Sequence, residues 1–194
     1  MHLVGTIVKL QVQQASLKVG QPPRRRYDPG PLMEVPALTL DGGGVNGWSA
    51  SGDAIADVHH AAHPRTKNRG ENGVSVGFTS HYDAMRERFG GHLTDGIAGE
   101  NILVTTEQMF SQEDLRRGLA VETKDGALVH LEEVIVATPC VEFTRYALRF
   151  PDDARPDATV TEALQFLNDG MRGYYAAFRG QPTRIELGNR VFIP

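Results

Sequence analysis

The sequence holds one cysteine, Cys140, and one tryptophan in 194 residues. A single cysteine excludes an internal disulfide, so the fold must rest on its core, and this suits a reducing compartment. No apolar run approaches the roughly 18 residues that a membrane helix needs. The start, MHLVGTIVKLQVQQ, lacks the basic stretch, sustained apolar stretch and small-residue cleavage site of a secretory leader. These absences predict a cytoplasmic protein with no membrane partner. A basic surplus is also missing: Lys and Arg total 20 against 24 for Asp and Glu, giving a net charge of -4. Neutralising a long polyanion takes an excess of Lys and Arg, so nucleic acid is not an expected partner. The basic residues are mostly arginine and cluster locally at Arg24, Arg25, Arg26, Arg65 and Arg69. That pattern suits a small anionic ligand.

Glycine and proline are plentiful, at 21 and 11 residues, which favours short strands joined by many turns. Val4 to Val12 alternates as a strand with one covered face. Lys18 to Pro31 reads as a polar loop, and Ala37 to Leu40 as a strand ending in glycines. From Gly42 to Asn72 no periodicity is sustained, and a long irregular connection of that kind is usually functional. Val74, Val76 and Phe78 alternate into a helix expected over His81 to Phe89, with Ser80 and Asp83 as its capping box. Asn101 to Thr105 is a further strand. Asp125-Gly126 marks the two-residue turn of a hairpin, and a short helix is expected over Val141 to Leu148. Thr159 and Glu162 are expected to cap the clearest helix. The chain then ends as strand, turn, strand, turn, strand. With no βαβ repetition, no internal repeat and no linker, the reading is one domain over 1–194, mostly β, forming a barrel with a few short connecting helices.

Cys140 follows Thr138-Pro139 at the end of a predicted strand. A buried, inert small hydrophobe is the ordinary role of such a residue. A helix beginning at Pro139 would instead turn its N-terminal amides toward the sulfur and favour a thiolate, the form that acts as nucleophile or metal ligand. Arg145 and Arg149 lie beyond it and would add positive potential if they fold back. His59 and His63 are four apart, the spacing of two zinc ligands on a helix, but no glutamate lies between them and Pro64 limits any helix; no zinc is expected. The wall of a site for an anion is the stronger reading of that segment. Arg65, Lys67 and Arg69, with Asn68 and Asn72, form a basic, glycine-punctuated loop suited to phosphate oxygens. Glu100 and Asn101 run into a strand that would hold them rigidly, and Arg172 is flanked by glycines that allow close backbone approach.

Taken in order, GTIVKLQV, the Gly/Asp/His-rich segment, AGENILV, ATPC and the terminal GMRGYYAAFRGQPTRIELGNRVFI resemble a MOSC domain, the module named for the C-terminal domain of molybdenum cofactor sulfurase. The resemblance spans nearly the whole chain and implies a MOSC-like β-barrel. It further implies that Cys140 carries sulfur as a persulfide or ligates the molybdenum of a pterin cofactor, as in amidoxime-reducing relatives. Asn101 matches the asparagine of the cofactor-contacting stretch. Asp57, His59 and His60 resemble the family's Gly-Asp-Arg-His-His-Gly segment. Ala56 and Ala61 stand where that segment has glycines, and Val58 where it has arginine, so the anion contact made there is either lost or supplied by Arg65 or Arg69. The implied function is molybdenum-cofactor (molybdopterin) binding or sulfur carriage. It extends to the catalytic component of a reductase of N-hydroxylated compounds, with an electron-transfer or sulfur-donor protein as partner. The alternative is a non-redox, small-anion-binding barrel with no catalysis of its own.

Overall fold

The computed structural model describes residues 1–67, 73–151 and 154–194. Its strands are β1 (His2–Gln13), β2 (Lys18–Val19), β3 (Arg26–Tyr27), β4 (Leu32–Glu34), β5 (Ala37–Asp41), β6 (Gly44–Trp48) and β7 (Ala54–Ala56). Then come β8 (Val74–Phe78), helix α1 (Thr79–Phe89), β9 (Ile102–Thr105), β10 (Leu119–Glu122) and β11 (Leu128–Val136). Helices α2 (Val141–Leu148) and α3 (Ala158–Phe166) lead through a wide turn at Leu167–Met171 into β12 (Tyr174–Ala177), β13 (Thr183–Glu186) and β14 (Arg190–Ile193).

Seven strands close a ring in the order β1, β14, β10, β11, β12, β8, β9 and back to β1. This is the mostly-β, MOSC-like barrel with short connecting helices that the sequence predicts. Pairing is antiparallel except between β8 and β9, which run parallel across α1, with Val76 opposite Ile102 and Phe78 opposite Val104. One βαβ unit is therefore built into the barrel, without the repetition of an α/β fold. The far end of β1 leaves the ring to pair with β4. A separate four-stranded sheet, β13-β5-β6-β7, packs alongside.

The alternation of β1 holds only in pieces. Ile7 pairs with Val104 and Lys9 with Leu103, so Val8 is an extra, unpaired residue. Such a bulge shifts the side-chain phase by one, and Ile7, Leu10 and Val12 all reach the core while Val8 points out. Gly5 lets β1 close on β9, since a Cβ there would sit 1.8 Å from the Thr105 carbonyl oxygen.

Two apolar cores result. One fills the barrel with Ile7, Leu10, Val76, Phe78, Val104, Val121, Leu131 and Tyr174. The other lies beneath the helices and holds Tyr27, Tyr82, Met85, Leu103, Phe143, Ala147 and Leu167.

Several local expectations are corrected. The Gly42–Asn72 segment is not structureless, because β6 pairs back on β5 and β7 pairs on β6. Ser80 does not cap α1; it lies inside the helix, and its hydroxyl donates to the Gln108 carbonyl at 2.8 Å. Asp83 pairs instead with Arg86. The cap of α3 is Asp157, which accepts from Val160 N–H at 3.1 Å, so the helix starts ahead of Thr159. In the β10–β11 hairpin, Gly126 N–H donates to Thr123 O, so Lys124 and Asp125 are the central pair. Gly126 follows them with φ 83°, a left-handed position that suits glycine.

His81 on α1 is buried between the wide turn and the segment before β10. Its Nδ1 lies 3.0 Å from the Gly170 carbonyl, and Nε2 accepts the Phe110 N–H at 3.1 Å. Those roles require the neutral ring, and burial holds its pKa below the ordinary 6.5. The unfolded chain therefore takes up this proton first, so stability is full above about pH 6.5 and falls as the pH drops below it. Thermal melts between pH 7.5 and 5 should show that fall, and His81→Gln, though less stable by about 2 kcal/mol at pH 7.5, should show a shallower one.

Candidate functional site

Cys140 stands where β11 gives way to α2. Ala137 N–H bonds the Gly173 carbonyl at 3.0 Å, fixing the strand end against the start of β12. Cys140, in extended conformation, is itself the cap of α2: Phe143 N–H points at its sulfur at 3.4 Å. The helix begins at Val141, as the sequence predicts, rather than at Pro139, and the sulfur faces its first turn. Cys140 is half-buried, so the fully buried role is not the one it takes.

The sulfur opens onto a cavity of about 270 Å³ at one mouth of the barrel. Ala137, Thr138 and Cys140 form one side. Ala98, Gly99 and Glu100, leading into β9, form the floor with Ser75, and Arg172 and Tyr175 close the wall beside β12. The hairpin from Leu17 to Tyr27 covers another side, and Val58, His59, Arg65 and Lys67 complete the rim. Of the sequence-predicted site residues, Cys140, Glu100, His59, Arg65, Lys67 and Arg172 therefore meet at one place.

Asp57, Asn101 and His60 do not line it. Asp57 is buried, and its Oδ2 accepts from Gln13 N–H at 2.7 Å and from the Asn101 amide at 2.9 Å. Its Oδ1 accepts from His59 N–H at 2.8 Å and lies 2.9 Å from His59 Nδ1. Burial opposes the charge, but these hydrogen bonds outweigh it and hold Asp57 below the usual carboxylate range. Asn101 Oδ1 accepts from both N–H and Oγ of Ser75, and its amide also reaches the Gln11 carbonyl at 3.2 Å. Every polar atom of the Asn101 side chain is thus bound within the framework. Its position just before β9 places it between strands, where these bonds join them. His60 turns away to Asp41, 3.0 Å from Nε2, under the β5–β6 turn.

Other expectations dissolve for local reasons. His59 and His63 do not share a helical face, since residues 57–67 form successive turns and His63 Nδ1 accepts Arg65 N–H. Among the described residues no group of three or more His, Cys, Asp or Glu side chains is placed to hold a metal ion. Arg145 donates to the Ala154 carbonyl, and neither it nor Arg149 lines the cavity. Arg69, Asn68 and Asn72 lie outside the described residues. Of the arginine triplet, Arg25 is held 2.5 Å from Glu142, and none of the three lines the cavity. No helix among the described residues is long and apolar enough to cross a membrane.

Sequence reasoning missed Lys18 and Tyr27. The Lys18–Pro31 stretch reads as a polar loop, yet β2 and β3 pair and Tyr27 packs 5.0 Å from the Phe143 ring. Its hydroxyl donates to the Ile97 carbonyl at 2.6 Å, and burial raises its pKa well above the phenolic norm. The one aromatic in a polar, arginine-rich run was the available signal. Glu142 also went unnoticed; it joins the hairpin to α2 through Arg25, with Lys18 at 3.9 Å.

Glu100 is the electrostatic outlier. It is buried, and its Oε2 accepts the Tyr82 hydroxyl at 2.7 Å. Burial raises its pKa, against the lowering effects of Tyr82 and the Arg172 charge. A raised carboxyl pKa favours the fold at low pH and loses that contribution as the pH climbs through the folded value. Glu100→Gln should accordingly raise the melting temperature by a few degrees at pH 8 and leave it nearly unchanged at pH 4. Asn101→Ala should lower stability by about 3–4 kcal/mol in urea titrations, because it leaves Asp57, Ser75 and the Gln11 carbonyl short of partners.

No family model matches the sequence, and no curated protein matches it. Solved structures do match in shape. The YUAD protein from Bacillus subtilis aligns over 98% of this chain and 94% of its own, with a TM-score of 0.55 and 13% identity. A hypothetical protein aligns over 97% of this chain and 66% of its own, with a TM-score of 0.56 and 13% identity. YiiM from Escherichia coli aligns over 84% of this chain and 64% of its own, with a TM-score of 0.51 and 14% identity. At such identities the likeness shows a shared fold.

Proposed function

We propose that this chain is a small-anion-binding β-barrel, one domain over its whole length, whose ligand lies in the mouth cavity beside Cys140. The observation that carries this reading is the convergence of Lys18, Arg65, Lys67 and Arg172 on that cavity, with Glu100 the one acid lining it among the described residues. On a chain of net charge -4 such a cluster is a local feature of the site. Arg65 and Lys67 are exposed at the rim, where guanidinium and ammonium groups meet phosphate or carboxylate oxygens. His59 is oriented by Asp57 through Nδ1, which leaves Nε2 for the ligand side.

A second reading is favoured by the sulfur in the same cavity: the anion is the molybdenum cofactor, or Cys140 relays sulfur. The residues present fit that group. Cys140 would supply one soft ligand to the metal, Lys18, Arg65 and Lys67 the cations for its phosphate, and Arg172 and Glu100 polar contacts to its ring system. When bound, the metal would supply two-electron redox chemistry, and reduction of N-hydroxylated compounds is the activity in view. One thiol has no second cysteine in the chain to regenerate it, so an electron-transfer or sulfur-donor protein is the partner this reading requires.

Calorimetric titration with inorganic phosphate tests the first reading. Saturable binding is expected, weakened about tenfold or more in Arg65→Ala/Lys67→Ala; no binding by the wild type overturns it. Anaerobic reconstitution with molybdenum cofactor, followed by metal analysis, tests the second. Stoichiometric molybdenum in the wild type and little in Cys140→Ser supports it, whereas equal loading of both removes Cys140 as a ligand.

A further inference from the structure

The outer face of the barrel seam carries a pattern that matches itself. Val191, Val121 and Val129 lie opposite one another on β14, β10 and β11 and point into the core. Their neighbours in sequence therefore point outward. Directly opposite residues share a face, so two rows can be followed across β1, β14, β10 and β11. One row is Leu3, Phe192, Ala120 and His130; the other is Thr6, Arg190, Glu122 and Leu128. None of these residues lines the mouth cavity.

The face is apolar at its flanks and charged at its centre. Leu3 is 51% exposed and Leu128 37%. Between them Arg190 Nε donates to Glu122 Oε2 at 2.6 Å, and the same guanidinium lies 5.5 Å from the centroid of the Phe192 ring. Large apolar side chains left in water on one face mark an interaction surface.

The order of the rows specifies what covers it. A two-fold axis parallel to the strands, lying between β14 and β10, sets each β14 over the β10 of a second copy. Arg190 then faces the second copy's Glu122, and the reverse contact repeats it. Phe192 faces Ala120, so two large rings do not collide, and Leu3 faces His130. Unlike charges on either side of such an axis are complementary to themselves, as an isologous contact requires. Sheets packed face to face accommodate the small rotation that strand twist imposes.

We propose that a second copy of this chain docks on the outer face of β14 and β10, giving a two-fold dimer that leaves both mouth cavities free. Arg190 and Glu122 exchange a partly exposed ion pair for a ring of four alternating charges, while Leu3 and Leu128 leave water. The contact involves few strands and is small, so a dissociation constant of about 1–100 µM is expected.

Sedimentation velocity on the full chain, from about 1 µM to about 500 µM, tests this. The wild type should pass from monomer to dimer across that range. Leu3→Lys, at an exposed position, should weaken dimerisation about tenfold or more, as should the charge reversals Glu122→Arg and Arg190→Glu. The decisive arm mixes the two reversals. One variant then carries only arginine at the two central positions and the other only glutamate, so the mixture should form a heterodimer more tightly than either variant dimerises alone. An ion pair that acts only within one chain gives no such rescue. A wild type that stays monomeric throughout overturns the proposal. So does a dimer that Leu3→Lys and both reversals leave unweakened, because another surface then holds it. Reversals that weaken the dimer without a heterodimer in the mixture overturn the two-fold arrangement. Should a reversal fail to fold, the wild type against Leu3→Lys still decides: weakened association supports the surface, and unchanged association overturns it.

Discussion

The hydrogen bonds converging on the buried carboxylate of Asp57 hold the mouth of this barrel in shape. Through one side chain they join the end of β1 at Gln13, the approach to β9 at Asn101 and the His59 turn. Asn101 carries the connection on to Ser75 in β8. Strands that are neighbours in the ring are therefore clamped at the level where the cavity opens. A charge buried this deeply is tolerated because each oxygen accepts two donors. Asp57 also fixes the ring of His59, which lines the cavity.

The site is assembled from parts with unlike physical character. Its floor is rigid, made by the strand ends and the Asp57 network. Its cover is the β2–β3 hairpin, held to α2 by Tyr27 against Phe143 and by Arg25 against Glu142. Of its cations, Lys18 sits in β2, and Arg65 and Lys67 sit on the irregular segment that follows β7. Glu100 and Arg172 lie between floor and wall with polar capacity to spare. Buried groups left short of partners are uncommon in a folded core. Cys140 differs from both, as a half-buried sulfur at a helix start that the backbone itself addresses.

Much of the barrel was legible because its strands are short, punctuated by glycine and followed by recognisable turns. The helix at Val141–Leu148 was read with its observed limits, and the terminal three strands were found in order. What failed was local competition. Ser80 looked like a cap, but β8 runs straight into α1 and tertiary contacts claim the hydroxyl. Val8 looked like one more step of an alternating strand, but pairing with β9 makes it a bulge. That Cys140, Arg65, Lys67 and Arg172 line one cavity could be anticipated only as a set of residue types, since their meeting depends on the fold. Asn101 does not line the cavity: a side chain suited to ligand contact is equally suited to joining strands, and only spatial neighbours show which bonds it makes. Tyr27 and Lys18 reach the cavity, and Glu142 holds its cover, through pairings that no local pattern encodes.

The ring closes between β1 and β14, with His2 opposite Ile193 and Thr6 opposite Arg190. On the ribosome, the first strand emerges long before its partner at the seam exists. Until β14 appears, β1 can pair only with β9 and β4, and one edge of the sheet stays open. Strand pairings this distant in sequence are slow to form. The outward apolar residue Leu3, exposed even in the closed barrel, lies on that waiting edge. During synthesis, then, the chain's vulnerable period runs from the exit of β1 to the exit of β14. A chaperone that shields β1 would act on the strand that needs it longest.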